Sequence, residues 1–178
     1  MRALHRVSGV LMTNPGGDRQ PVTAHRAHIM HMLGKIDGIL RTKGTNVYTV
    51  TPDATVYEAI QIMAEKNVGA LLVMEGQRLV GVISERDYTR KVILHGKASK
   101  TTFVREIVSA RIVSATPDST VEECLKLMTE HRCRHLPVVQ GDKVMGVVSI
   151  GDLVNWIISS QTATINELQS YIMGNLPG

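Results

Sequence analysis

Apolar residues follow the same course twice along the chain. In each copy they first recur every three or four positions, the spacing of one buried helix face, at Val56, Ala59, Ile60 and Met63 and again at Val121, Cys124, Leu125 and Met128. Two short apolar runs follow, separated by a glycine turn, and such runs are typical of buried strands. They lie at 70–74 and 79–84 in the first copy and at 136–139 and 144–149 in the second. Each copy therefore predicts a helix, two strands and a second helix.

The two copies align without a gap when the numbering is shifted by 65 residues. Residues 51–92 then fall on 116–157, and 15 of the 42 positions are identical. The matches include Thr-Pro-Asp at the start, Gly-Val in the second apolar run and Ser-x-x-Asp after it. An internal repeat of this kind is stronger evidence about the fold than any single motif.

Polar residues mark the start of both helices in each copy. The first helix begins with the Thr-x-x-Glu spacing of a capping box, at Thr55 and Glu58 and at Thr120 and Glu123. The second follows a Ser-x-x-Asp string, from Ser84 to Asp87 and from Ser149 to Asp152. Two interpretations of that string stay open. Both side chains cap the helix, or the Asp accepts hydrogen bonds from ribose hydroxyls while the Ser donates to a phosphate oxygen.

The order Thr-Pro-Asp-x-Thr-Val, helix, apolar strand, glycine turn and Gly-Val-(Ile/Val)-Ser-x-x-Asp resembles the CBS domain, named after cystathionine β-synthase. Two copies in tandem resemble a CBS pair, or Bateman module, over about residues 34–158. The string at 84–92, Ser-Glu-Arg-Asp-Tyr-Thr-Arg-Lys-Val, is similar to stand-alone CBS-pair proteins of bacteria and plant organelles. The resemblance implies an α/β (α+β) fold of two repeats related by a pseudo-two-fold axis. It also implies that AMP, ATP, NAD or S-adenosylmethionine binds between the repeats.

The segments around the repeats complete a division into four parts. Residues 1–32 are predicted to be a basic, disordered extension, 34–96 the first repeat, 103–158 the second, and 159–178 a final helix and tail. An amphipathic helix is predicted at 35–41, with a counterpart at 104–108, and lead-in strands at 46–50 and 111–115. The final helix, 159–173, places Ile165, Leu168 and Ile172 on one face, for which we expect a partner surface.

The family pattern carries over to particular residues of each copy. Asp87 and Asp152 match the ribose-binding Asp, and Ser84 and Ser149 match the hydroxyl that often reaches a phosphate. Arg134 and His135, just before an apolar strand, resemble a basic pair that contacts phosphate in related nucleotide sensors.

The copies differ where that basic pair lies. Gly69-Ala70 replaces it in the first copy, which instead carries Arg86 and Arg90 beside its Asp. The cationic residues are therefore split between the copies, which favours one site whose phosphate is held from both repeats. Backbone groups near Val47, Ala70 and Ile112 are expected to border the adenine.

Charge and composition narrow the possible partners. Residues 1–32 contain four Arg and one Asp and so carry three of the four net positive charges, which leaves the repeats near neutral. Aromatic residues are scarce, at 3%, which disfavours base stacking on single-stranded nucleic acid. No apolar run approaches the roughly 20 residues of a transmembrane helix. We therefore expect neither nucleic acid nor a membrane as a partner.

The N-terminal segment has two interpretations. It is a transit peptide, which is rich in Arg and poor in acids, or a tail upstream of a start at Met30 or Met32. We accordingly expect a cytoplasmic protein, with an organelle as the alternative. His25, His28 and His31 have helical spacing, but neither a carboxylate nor a Cys accompanies them, so no metal site is expected.

No catalytic motif is recognisable in the sequence. It contains neither a Gly-x-Ser-x-Gly string, nor a Walker phosphate loop, nor a nucleophile beside a base. The sequence therefore predicts a regulatory module, not an enzyme, that requires no cofactor, binds an adenine nucleotide, forms a homodimer and signals to a separate, unknown effector protein. The main alternative is a ligand-free scaffold for protein–protein interactions. An enzyme acting on a nucleotide and a nucleic-acid-binding regulator are less favoured.

Overall fold

The computed structural model of the chain describes residues 34–108 and 111–174. These residues form a mixed α/β fold that contains one helix–strand–strand–helix unit twice, as the repeat predicts. The basic extension, with His25, His28 and His31, lies outside the described residues.

The first repeat contains a three-stranded sheet. Helix α1 (Ile36–Lys43) is followed by β1 (Thr49–Val50), α2 (Val56–Lys66), β2 (Ala70–Glu75) and β3 (Arg78–Ser84). The sheet order is β1-β2-β3, with β1 parallel to β2 and β2 antiparallel to β3. The capping box predicted at the start of α2 is present, because the Thr55 hydroxyl accepts from Glu58 N while the Glu58 carboxylate accepts from Thr55 N.

The helix after β3 is short and composite. It consists of a single turn, α3 (Glu85–Asp87), a π-helical turn at Tyr88–Val92 and a 3-10 turn at Ile93–His95. Gly96, at a φ of 64°, ends it in the left-handed conformation that glycine adopts readily. The first repeat therefore ends in a bent segment, whereas the second ends in a regular helix.

The second repeat begins with a 3-10 turn at Val104–Glu106 and continues with α4 (Val121–Glu130), β4 (His135–Gln140), β5 (Lys143–Ser149) and α5 (Ile150–Gly174). Strands β4 and β5 pair in antiparallel fashion. The register places His135 opposite Ser149, as it places Ala70 opposite Ser84 in the first repeat.

The predicted lead-in strands are shorter than expected. At 46–50 only Thr49 and Val50 form a strand, and at 111–115 only Ala115 joins the sheet, through an isolated parallel bridge to Val138. Each segment runs into Thr-Pro-Asp within two residues. Proline has no N–H to donate and cannot continue the ladder, so each pairing stops there.

Two predicted helices form one continuous helix. The helix expected after Ser149 and the final helix expected from Ser159 make up α5, which runs without a break from Ile150 to Gly174. Neither Pro nor Gly occurs between 152 and 173 to end it. Ile165 on this helix is exposed, whereas the side chains of Leu168 and Ile172 lie outside the described part of the structure.

The core consists of two clusters, and each lead-in segment packs into the cluster of the other repeat. Ile36, Ile39 and Leu40 of α1 are buried among the residues of the second repeat. Val104 and Ile107 are buried among those of the first repeat. The two repeats therefore exchange segments, which the sequence did not predict.

Close contacts fix α1 on the second repeat. A Cβ at Gly146 of β5 would lie 2.7 Å from Leu40 Cδ2, and one at Gly38 would lie 3.1 Å from the Trp156 ring of α5. Both positions therefore favour glycine, because a side chain there would push the helix away. This packing also holds Lys43, the last residue of α1, against the second repeat.

Candidate functional site

A cleft of about 370 Å³ lies between the two repeats. Its first wall is the end of β3 and the composite helix after it, and its second wall is the segment that leads into β4. Seven of the eleven residues predicted as ligand contacts line this cleft: Ser84, Arg86, Asp87, Arg90, Ile112, Arg134 and His135. The structure therefore brings the Ser-x-x-Asp string of one repeat together with the basic pair of the other.

Ser84 and Asp87 form a capping box at the end of β3. The Ser84 hydroxyl donates to Asp87 Oδ2 over 2.6 Å and accepts from Asp87 N over 3.3 Å, while Ser84 N donates to the same carboxylate over 3.1 Å. Lys91 completes the cluster, with its Nζ 2.8 Å from Asp87 Oδ1 and 2.8 Å from the carbonyl oxygen of Ile107. The capping interpretation is thus observed, and it holds the carboxylate at the cleft wall.

Arg86 connects the two walls of the cleft. Its Nη1 donates to the carbonyl oxygen of Arg132 over 3.0 Å, from the first repeat to the second. Arg132 has a φ of 51°, a left-handed conformation that is uncommon for a residue with a long side chain. This turn leads directly to Arg134 and then to His135, the first residue of β4.

His135 packs against the first repeat. A Cβ at Gly69 would lie 3.3 Å from His135 Cε1 and 3.6 Å from Glu85 Oε2. Burial lowers the pKa of His135, and the charges of Lys43 and Arg134 lower it further, against the opposing effect of Asp152 and Glu85. His135 is therefore a neutral imidazole near pH 7, and it can act as a hydrogen-bond donor or acceptor at the cleft.

The cleft is strongly cationic. Two carboxylates, Glu85 and Asp87, are outnumbered by six cationic side chains: Arg86, Arg90, Lys91, Arg111, Arg132 and Arg134. None of the five arginines forms an ion pair with any described residue, and the side chains at 90, 111, 132 and 134 form no hydrogen bond with one either. Guanidinium groups that lack a carboxylate partner are well suited to a phosphate, which they can hold with two parallel hydrogen bonds.

Four of the predicted contact residues lie elsewhere: Val47, Ala70, Ser149 and Asp152 do not line this cleft. Ala70 pairs with Ser84 in the sheet and follows Gly69, and both Ser84 and Gly69 line the cleft. Ser149 and Asp152 form the equivalent capping box in the second repeat, where Ser149 N and Oγ donate to Asp152 Oδ2 over 2.7 Å and 2.8 Å.

Several cleft residues escaped the sequence prediction. Arg111 and Arg132 have no equivalent cation in the other copy, so the repeat gave no indication of them. Lys91 belongs to the string that resembles CBS-pair proteins, but its contact with Asp87 depends on the short helix at that point. Among the described residues, no three His, Cys, Asp or Glu side chains group as a metal site would require. Within the same part of the chain, no helix combines the length and apolarity needed to cross a membrane.

Comparison with known proteins identifies the repeats. The CBS domain family model matches residues 39–93 and 104–159. The chain is 38% identical over 148 residues to the mitochondrial CBS domain-containing protein CBSX3 of Arabidopsis thaliana. The matched region covers 78% of this chain and 72% of that protein.

Solved structures give the same result. A protein with CBS domains from Burkholderia ambifaria MC40-6 is 47% identical and superimposes with a TM-score of 0.69, over 72% of this chain and 96% of its own. The CBS domain pair of protein MJ0100, solved with 5′-methylthioadenosine and S-adenosyl-L-methionine, has a TM-score of 0.61 over 68% of this chain and 94% of its own. At 22% identity, that second likeness shows the fold alone.

Proposed function

The chain belongs to the CBS domain family as a tandem pair, and we propose that it is a non-catalytic regulatory module that binds an anionic adenine nucleotide between its repeats. The observation that carries the proposal is the cleft itself. It joins Ser84 and Asp87 of the first repeat to Arg134 and His135 of the second, and it contains five arginines without an ion pair among the described residues.

The proposed contacts follow from the chemistry of each wall. The Asp87 carboxylate, held by Ser84 and Lys91, is the acceptor for ribose hydroxyls. Arg90 from the first repeat and Arg134 from the second supply the phosphate contacts. A ligand held in this way contacts both repeats, so it favours the relative orientation in which both walls reach it.

The charge of the cleft selects among the candidate ligands. AMP, ADP, ATP and NAD carry negative phosphates, whereas S-adenosylmethionine carries a positive sulfonium and methylthioadenosine is uncharged. Six cationic side chains against two carboxylates favour the phosphorylated ligands. The ligands of MJ0100 are nevertheless informative probes, because that protein shares the fold.

The proposal includes a homodimer and a separate effector protein. Helix α5 exposes Ile150, Val154, Ile158 and Ile165, which lie four, four and seven residues apart and so share one face of the helix. An exposed apolar stripe of this kind is suited to a second copy of the chain. Ligand binding in the cleft would then act on the effector through the shape of the assembled module.

A thermal-shift panel tests the ligand proposal. At a concentration one hundred times its Kd, a ligand stabilises the folded chain by about 2.7 kcal/mol, or roughly 5–11 °C in Tm for a chain of this size. We expect AMP, ADP, ATP or NAD to reach that range and S-adenosylmethionine and methylthioadenosine to fall well short of it. Mass spectrometry after incubation should find the bound nucleotide unchanged.

Matched variants separate the cleft from general effects. Asp87→Asn, expected to weaken binding at least tenfold, should reduce the stabilisation by about half or more at the same ligand concentration. Arg78→Ala should leave it intact, because Arg78 is exposed at the start of β3 and pairs with Glu75. If no adenine nucleotide raises the Tm of the unaltered chain, the ligand proposal is wrong and the scaffold interpretation is preferred. Turnover of the nucleotide would instead show an enzyme.

A further inference from the structure

The second repeat contains an equivalent of the cleft wall. Val82, Ser84 and Asp87 line the cleft, and the shift of 65 residues takes them to Val147, Ser149 and Asp152. The capping box is reproduced at both places, with Ser149 N and Oγ donating to Asp152 Oδ2. By symmetry alone, the second place should accept a nucleotide as readily as the first.

A lysine from a distant part of the chain occupies that second place. Lys43 Nζ lies 2.5 Å from Asp152 Oδ2 and 3.3 Å from the carbonyl oxygen of Val147. It therefore contacts the equivalents of two residues that line the cleft in the first repeat. Hydrogen bonds from Lys43 and Ser149 lower the pKa of Asp152 although burial alone would raise it, so the carboxylate stays ionised and available to the ammonium group.

The position of Lys43 is fixed by the segment exchange. Lys43 is the last residue of α1, whose residues Ile36, Ile39 and Leu40 are buried in the core of the second repeat. The equivalent of Lys43 after the shift is Val108, which cannot form such a contact. Lys91, which pairs with Asp87, comes instead from the same helical segment as its partner and lines the open cleft.

The second place also lacks the phosphate contacts of the first. The second repeat supplies Arg134 and His135 opposite Ser84 and Asp87. The equivalent residues that the first repeat supplies for Ser149 and Asp152 are Gly69 and Ala70. Gly69 and Ala70 carry no charge, so at these positions the first repeat offers the second place no cation for a phosphate.

We infer that the Lys43 side chain fills the second Ser-x-x-Asp site, so that one chain binds one nucleotide, in the cleft at Asp87. This inference rests on the proposed function and refines it. The sequence assigned Asp87 and Asp152 the same ribose contact. Their roles instead differ: Asp87 contacts the ligand, whereas Asp152 binds Lys43 at the end of α1.

Calorimetry with AMP tests the stoichiometry. The unaltered chain should bind one AMP, Asp87→Asn should weaken that binding at least tenfold, and Asp152→Asn should change it by less than about threefold. Asn retains the helix-capping ability of both positions, so the two variants are matched in their effect on the fold. Two AMP molecules per unaltered chain, reduced to one by Asp152→Asn, would overturn the inference.

Urea unfolding without nucleotide tests the Lys43 contact independently. Lys43→Ala and Asp152→Asn should each lower the urea midpoint, and the double variant should lower it no further than the larger single effect, because both remove one interaction. Arg41→Ala with Asp37→Asn is the control, an ion pair one turn apart on the same helix whose side chains are largely exposed, for which we expect small single effects and weak coupling.

The two experiments separate the two ideas. If the unaltered chain binds no adenine nucleotide but Lys43 and Asp152 are coupled in unfolding, the proposed function fails and the filled second site is supported. If Lys43→Ala and Asp152→Asn are simply additive, the ammonium group does not occupy the site and the inference is overturned, whatever the calorimetry shows.

Discussion

Arg134→Ala should weaken the binding of AMP much more than the binding of adenosine. Arg134 is exposed at the cleft and forms no ion pair with a described residue. At a separation of about 4 Å, its charge and one phosphate charge attract by roughly 1 kcal/mol in water and roughly 4 kcal/mol near a protein surface. A charge-assisted hydrogen bond is worth about 1.5–3 kcal/mol, which corresponds to a loss of about 10- to 150-fold in AMP affinity.

The same change should leave the fold intact. The backbone of Arg134 keeps its hydrogen bond, in which the carbonyl oxygen accepts from Ile150 N over 2.9 Å. An exposed side chain without such ties changes the free energy of unfolding by less than about 0.5 kcal/mol. Arg134→Ala should therefore lower the affinity for AMP while the free energy of unfolding stays nearly constant.

Calorimetry with both ligands, at low and at moderate salt, measures this effect. Arg134→Lys should retain part of the AMP affinity, because it keeps the charge but not the two-pronged geometry. Arg78→Ala, at the exposed start of β3, should alter the binding of neither ligand. An equal loss for AMP and adenosine would refute the reasoning, since Arg134 would then act through the shape of the cleft and not through a phosphate.

Three further predictions concern packing, pH and assembly. Gly69→Val should lower AMP affinity several-fold, because its side chain would meet the His135 ring 3.3 Å away, and calorimetry with Arg78→Ala as control measures this. His135 has a lowered pKa in the folded chain, so the unfolded chain binds more protons near pH 6 and stability should fall as the pH drops through about 6.5. Urea unfolding at pH 7.5 and 5.5 should show a smaller loss of stability on acidification for His135→Gln than for the unaltered chain. Ile158→Glu should convert the homodimer to a monomer in light scattering, as should a chain that ends at Ser160; an unaltered chain that is already monomeric at micromolar concentration contradicts this.

The secondary structure was predictable because it depends on local sequence. The capping box of α2 was recognised from Thr55 and Glu58 alone, because two residues three positions apart suffice to define it. Strands β2 and β3 were located to within a residue or so by their apolar runs and the intervening Gly76. Because the second repeat has the same pattern, each of these predictions applied to both repeats.

The segment exchange could not be predicted because it depends on distant contacts. The apolar face of α1 was visible in Ile36, Ile39 and Leu40, but spacing along the chain does not indicate which core a face enters. The tight fit of Leu40 against Gly146, more than 100 residues later, decides this. The contact of Lys43 with Asp152 follows from that packing and was missed for the same reason.

The exchange also restricts how a ligand can act. Because α1 is buried in the second repeat and Val104 in the first, the repeats cannot separate without exposing both cores. A nucleotide in the cleft can therefore change the angle between the repeats but not their association. The hydrogen bond from Arg86 to the Arg132 carbonyl crosses the cleft, and Arg132 is exposed whereas Arg86 is half-buried. We expect such a rotation to change this contact first. We expect the signal to an effector protein to originate at this rim, where a small rotation alters an exposed, charged surface without disturbing either core.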